Sequence, residues 1–241
     1  MRSRANAGSE APALPRLDDM QGPVNQRIYR ALRESIVKGV FPPGSPLSEK
    51  DISDRFGVSR QPVREAFIKL GEAGLVQVLP QRGTFVMKIS PKRVEDGRFI
   101  REAVEVAVAA RAAERVTPAQ IDAIAGLLAG QRAAARRNDT AAFLDLDDAF
   151  HQAVANAADC PSVWQTIENI KANMDRVRYL SLADVTPLDV LIAQHEAIFE
   201  ALHARDAQAA RAAMQQHLRE LTISFEPIRA RNPDWFGVAE A

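Results

Sequence analysis

Two sets of side chains in this 241-residue chain have the types and spacing to do chemistry. The first is Arg60, Gln61 and Arg64, two guanidiniums and an amide directly after Ser59. Arg can pair with O6 and N7 of guanine and Gln with adenine, so the group suits base edges in a DNA major groove. An ordinary surface helix with basic residues fits them equally well when they are taken alone. The second set is Asp147, His151, His195 and His217. Asp147 and His151 stand at i and i+4, which puts them on one helix face. His195 lies in an apolar stripe with Leu191, Ile192, Ile198 and Phe199, and His217 lies in one with Met214, Leu218 and Leu221. Three imidazoles and a carboxylate converging inside a helical bundle suit a divalent ion, Zn2+ first and Ni2+ or Mn2+ next. The alternatives are that Asp147 and His151 form a surface pair and that the apolar-face histidines are hydrogen-bonded core residues.

The elements around the first set decide how it is presented. Gly57 permits a sharp left-handed turn, Ser59 suits a helix N-cap, and Pro62 sits in the first turn, where a missing N–H is tolerated. Val63, Ala66, Phe67 and Leu70 then form one apolar face, leaving Arg60, Gln61 and Arg64 off it. Residues 48–56 form a short helix, capped by Ser48 with Asp51 three residues on, a near capping box. Two short helices joined by a glycine turn make a helix-turn-helix. A helix over 24–40 precedes it, followed by a turn cluster at 42–47. Over 75–87 the period changes to that of two strands, with a hairpin loop at 80–83. A hairpin after such a helix is a wing. Arg82 at its tip can meet phosphate or a minor groove, and Gly83 lets the backbone come close.

Charge agrees with this division. The net charge of zero hides thirteen basic against six acidic residues between Val24 and Arg93, a balance of +7. Residues 1–23 balance, so the remainder carries −7, and only the front half suits a polyanion. Residues 1–21 read as a disordered tail. No apolar run approaches the roughly 20 residues of a membrane span and no secretory signal is visible. The single cysteine, Cys160, excludes an internal disulfide framework and fits a reducing cytoplasm. Beyond the linker at 89–93, the pattern is helical throughout. Caps and first-turn prolines divide it into six helices at 94–115, 118–137, 140–158, 161–182, 187–204 and 206–230, with a tail at 232–241. The expected fold is therefore mainly α, an N-terminal winged helix-turn-helix over 22–90 plus a C-terminal antiparallel all-α bundle over 94–231.

The stretch PPGSPLSEKDISDRFGVSRQPVREAFIKLGEAGLVQVLPQRGTFV resembles the N-terminal winged helix of the GntR family of bacterial transcription regulators. The order of PPG, LSE, GVSR, PVREA, GLV and RGTFV carries the resemblance. It implies that Lys50, Ser59, Arg60, Gln61, Arg64 and Gly83, with Arg82 beside it, face operator DNA. Lys50 stands where the family often has arginine, which favours phosphate contact over bidentate base reading. The helical half is similar to the FCD ligand-binding domain, and six helices point to its VanR-like subgroup. The resemblance implies that Asp147, His151, His195 and His217 bind one metal, whereas His203 has no counterpart. Arg101 matches a family arginine that pairs a ligand carboxylate, although Glu105 at i+4 offers it an intrahelical partner. Asn173 and Arg176 are placed in the same effector cavity.

The expectation is thus a cytoplasmic homodimer, a repressor on a pseudo-palindromic double-stranded operator, controlled by a small organic acid at the metal. A metal-dependent enzyme with a DNA-binding appendage is the rival class. Against it, no general base stands at a set spacing as Glu does in H-E-x-x-H. A DNA-binding dimer with a purely structural metal is the third reading.

Overall fold

The computed structural model describes residues 14–237, apart from the side chains at 183, 184 and 221. The expected tail segments at 1–13 and 238–241 lie outside the described residues. The front of the chain builds α1 (Val24–Val37), β1 (Pro46–Leu47), α2 (Glu49–Phe56), α3 (Arg60–Glu72), β2 (Val76–Leu79) and β3 (Gly83–Val86). The hairpin is the expected wing, but its sheet has a third strand. The turn cluster after α1 ends in β1, which pairs antiparallel with β3, giving the order β1-β3-β2. Ile28, Leu32 and Ile36 of α1 meet Ile52, Val63, Phe67 and Leu70 in one core under this sheet. Gly57 takes the left-handed conformation, with φ 65°, and Ser48 accepts a bond from Asp51 N at 3.3 Å.

Behind the linker stand α4 (Pro91–Arg115), α5 (Pro118–Arg136), α6 (Thr140–Ala157), α7 (Pro161–Ile170), α8 (Ala172–Asp184), α9 (Leu188–His203) and α10 (Ala207–Arg231). The expected caps are realised at Thr117, which forms a full capping box with Gln120, and at Asp139 and Asp206. The stretch expected as one helix over 161–182 breaks at Lys171, which ends α7 and opens α8. The six expected helices therefore become seven, or six with one of them kinked. The bundle core is small-residue packing, with Ala109, Ala112 and Ala113 of α4 against Phe150, Trp164, Ile198 and Met214.

Within the described residues, parts of both expected tails pack on the rest of the molecule. Leu14 and Leu17 pack on the head core. Residues 233–235 form a 3-10 turn, and Phe236 makes a parallel bridge to Ile89 of the linker. Trp235 lies so close to Gly39 that a Cβ there would meet its ring at 2.7 Å. A short apolar segment next to an unpaired backbone strand gains order by covering it, a signal that composition averages away.

Candidate functional site

The head presents its polar groups to solvent. Lys50, Ser59, Arg60, Gln61, Arg64, Arg82 and Gly83 are all exposed. Val63, Ala66, Phe67 and Leu70 anchor the opposite face of α3. Ser59 is the N-cap residue, but its hydroxyl caps nothing. The reason is local. The N3 residue is Pro62, which lacks the N–H that a serine cap would satisfy. Arg64 makes a bidentate pair with Glu49 of α2, both bonds at 3.1 Å. Gln61 donates to Glu65 at 3.1 Å and Lys50 pairs with Asp54 at 2.7 Å. Gln81 in the wing loop takes φ 60° and Gly83 φ 104°, which swings Arg82 to the tip.

The second set converges. Asp147 and His151 of α6, His195 of α9 and His217 of α10 are buried, with ligand atoms all within 4.8 Å of one another. The Nε2 atoms of His151 and His217 stand 3.1 Å apart, and those of His195 and His217 stand 3.3 Å apart. These are the separations that bonds of about 2.0–2.1 Å to one shared ion produce.

The ring tautomers follow from the outer partners. His195 Nδ1 is 2.8 Å from Gln131 Oε1, and the Gln131 amide is oriented by donating to Leu146 O at 3.2 Å. His217 Nδ1 is 3.1 Å from Gln194 Oε1, and that amide donates to Glu220 at 3.0 Å. His151 Nδ1 lies 2.6 Å from Glu105 Oε2, off the ideal hydrogen-bond line. Each Nδ1 therefore faces an acceptor and carries the proton, so three Nε2 lone pairs aim at one another. Burial pushes His195 down to about 3 and His217 well below its ordinary value, so neither ring carries a second proton at neutral pH. Asp147 Oδ1 accepts no hydrogen bond. Burial alone would raise this carboxyl, but the Arg178 guanidinium holds it far below the usual range. A group of unshared lone pairs around a buried carboxylate fits a cation, and this donor set fits the expected divalent ion.

A cavity of about 40 Å3 opens beside the cluster, lined by Arg98, Arg101, Arg178, Ser181, Thr186 and His217. Arg101 is buried and pairs with Glu105, the intrahelical partner weighed above, while still lining this cavity. Asn173 and Arg176 are elsewhere. Asn173 accepts from Ser90 N at 3.4 Å and Arg176 donates to Met87 O at 2.9 Å, so both hold the linker instead of lining the cavity. Their placement on the kinked α8 turns them toward the head. His203 sits in the exposed last turn of α9, away from the cluster.

Sequence reasoning did not assign Arg178, Gln131 or Gln194. Gln131 had a signal, a polar residue in the core register of Ile124 and Leu128 on α5. Arg178 had none, because its partner Asp147 lies on another helix.

A winged helix joined to an all-α bundle is the architecture of a DNA-binding transcription regulator. Residues 24–86 match the bacterial regulatory proteins of the gntR family, and residues 98–220 match the FCD domain. The HTH-type transcriptional repressor RspR of Escherichia coli (strain K12) is 53% identical over 214 residues, covering 89% of this chain and 94% of that protein. The galactonate operon transcriptional repressor of the same strain is 27% identical, covering 84% and 96%. Among solved structures, E. coli McbR/YncC shares the fold with TM-score 0.76 at 21% identity, covering 86% and 99%. The chain belongs to the GntR family of transcription regulators, in its FCD branch, and is a regulator and not an enzyme. Among the described residues no helix is long and apolar enough to cross a membrane.

Proposed function

We propose that this regulator is a cytoplasmic repressor whose grip on its operator is set by a small organic acid bound beside a divalent metal. The convergence of three imidazole Nε2 atoms on Asp147, next to an arginine-lined cavity, carries this reading. Asp147, His151, His195 and His217 would hold the ion, with Zn2+ the first expectation and Ni2+ or Mn2+ next. When bound, the ion supplies a Lewis-acid position for a carboxylate. Arg178, Arg98 and Arg101 offer guanidiniums to the same ligand, each sharing itself with a carboxylate, of Asp147, Glu102 and Glu105 respectively. A cavity of about 40 Å3 corresponds to a few waters, which favours a compact acid. The name of the galactonate operon repressor agrees with a carboxylate class of effector, and that of RspR with repression.

Arg60, Gln61 and Arg64 would read bases, Ser59 and Lys50 would meet phosphate, and Arg82 with Gly83 would reach the flanking groove. Phe99 of α4 and Ile223 of α10 are 68% and 70% exposed on two helices that pack together, and these uncovered apolar side chains support a homodimer through the bundle. Two heads then meet a pseudo-palindromic site. If the acid releases DNA, operator must weaken acid binding by the same factor. Native mass spectrometry of the purified protein tests the reading. We expect a dimer carrying one metal per chain, and loss of that metal in H195A and H217A. A metal-free dimer that still shifts operator in response to acids would sink the metal part.

A further inference from the structure

We propose that Arg178 of α8 couples the metal cluster to the reading head, by dividing its guanidinium between Asp147 and the acidic pair Asp148 and Asp175, the second of which holds Arg33 of α1. The inference rests on the metal reading above. Arg178 Nη2 ion-pairs with Asp147, while its Nη1 lies 3.5 Å from Asp148 and 3.6 Å from Asp175. Asp175 is also the partner of Arg33, which belongs to the head, and of Lys171 at 2.9 Å. Lys171 closes the circuit onto Asp148 at 2.5 Å. Three acids thus face three bases in a continuous chain, from a candidate metal ligand to the first helix of the DNA-binding domain.

Position and burial make this chain more than a surface network. Asp147, Asp175 and Lys171 are buried, so leaving any of them unpaired is costly. Burial alone would raise the Asp175 carboxyl, but Lys171, Arg33 and Arg178 hold it well below the usual carboxylate range. One helix carries both ends of the coupling, because Asp175 and Arg178 are one turn apart on α8. The same helix places Ala172 in the head core and bonds the linker through Asn173 and Arg176. A cavity of about 210 Å3 lined by Arg33, Asp148, Asp175 and Arg178 gives the side chains room to change partners.

The direction of the effect follows from charge. A divalent ion takes up the charge of Asp147 and repels the Arg178 guanidinium. Arg178 then turns further toward Asp148 and Asp175. Asp175 is left shared among three cations, and Arg33, the one rooted outside the bundle, loses its share. Loading the metal therefore loosens α1 from α8.

Amide hydrogen exchange on the full-length protein, metal-free and loaded with Zn2+, tests this, alongside Zn2+ affinity from chelator competition. In the wild type, Zn2+ should speed exchange in residues 24–37 by about fivefold, the low end of typical coupling between sites. By reciprocity R33Q should bind Zn2+ about fivefold more tightly than wild type, since Asp175 no longer has to release Arg33 when the metal is loaded. Its α1 amides should exchange fast in both states, with no response to the metal. R33K keeps the charge and should keep part of the response, which guards against a folding defect in R33Q. An α1 response of wild-type size in R33Q overturns the coupling, as does a wild-type α1 that ignores bound Zn2+. Failure of the wild type to bind Zn2+ at all removes the metal reading, and this inference with it.

Discussion

On the reading head, Arg64 meets Glu49 with 59% of its side chain exposed, whereas in the bundle Arg178 meets an Asp147 that is 0% exposed. The groups are the same and their consequences differ. An exposed pair is weak and exchanges readily for another partner, which suits the DNA-contact role proposed for Arg64. A buried carboxylate cannot be left without a partner, so whatever replaces Arg178 must itself be positive. The exposed pairs of the head can be exchanged for other partners at little cost, whereas the buried charges of the bundle are fixed in number, and it is this difference on which the proposed coupling rests.

That contrast breaks most visibly at the ligands themselves. H217A should lower Zn2+ affinity by more than the roughly 100-fold at which outer-shell changes stop, measured by chelator competition. Nearly unchanged affinity would return the histidines to the role of core residues. Next in size is Q131A, which leaves every ligand atom in place. Without its Oε1 acceptor, His195 no longer has a fixed tautomer, and affinity should fall by about 10- to 100-fold. A smaller loss would show that packing of His195 against Phe150 suffices to orient the ring.

On the head, R60A should weaken specific operator binding by about tenfold and relax base preference at one position of each half-site. R82A should instead weaken binding to all sequences alike and reduce the salt slope by about one. Should the two variants behave identically in anisotropy titrations at several salt concentrations, the division between base reading and phosphate contact fails.

How much of this was legible beforehand follows from the range of the interactions. The helix-turn-helix, the wing and the pairing of Asp147 with His151 on one helix face were readable, because turns, caps and i,i+4 spacing are local. The cluster also needed His195 and His217, which stood out as polar residues in apolar stripes. Arg178 and the Arg33–Asp175 contact were not readable, since each joins residues from separate helices with no shared period. The break at Lys171 was also invisible. No glycine or proline marks it, and it redirects Asn173 and Arg176 from the expected cavity to the linker. The ordered end at 233–237 was missed for a related reason, as its partner Ile89 lies far away in sequence.

The smallest expected effect tests whether the exposed pair holds Arg64 back or aims it. Glu49 stands in the first turn of α2, where an acid is mildly favourable to the helix, and its carboxylate takes both hydrogen bonds from Arg64. E49Q keeps the shape of the side chain but removes its charge. If the pair merely occupies Arg64 until DNA arrives, E49Q should bind non-specific duplex about two- to threefold more tightly, because the head gains one positive charge. Its operator affinity should rise by the same factor, leaving the ratio of specific to non-specific binding unchanged. If Glu49 positions the guanidinium against a base, the ratio should fall while non-specific binding still rises. Anisotropy with operator and scrambled duplexes at two salt concentrations separates the outcomes, and only the constant ratio is consistent with a head whose exposed ion pairs are interchangeable.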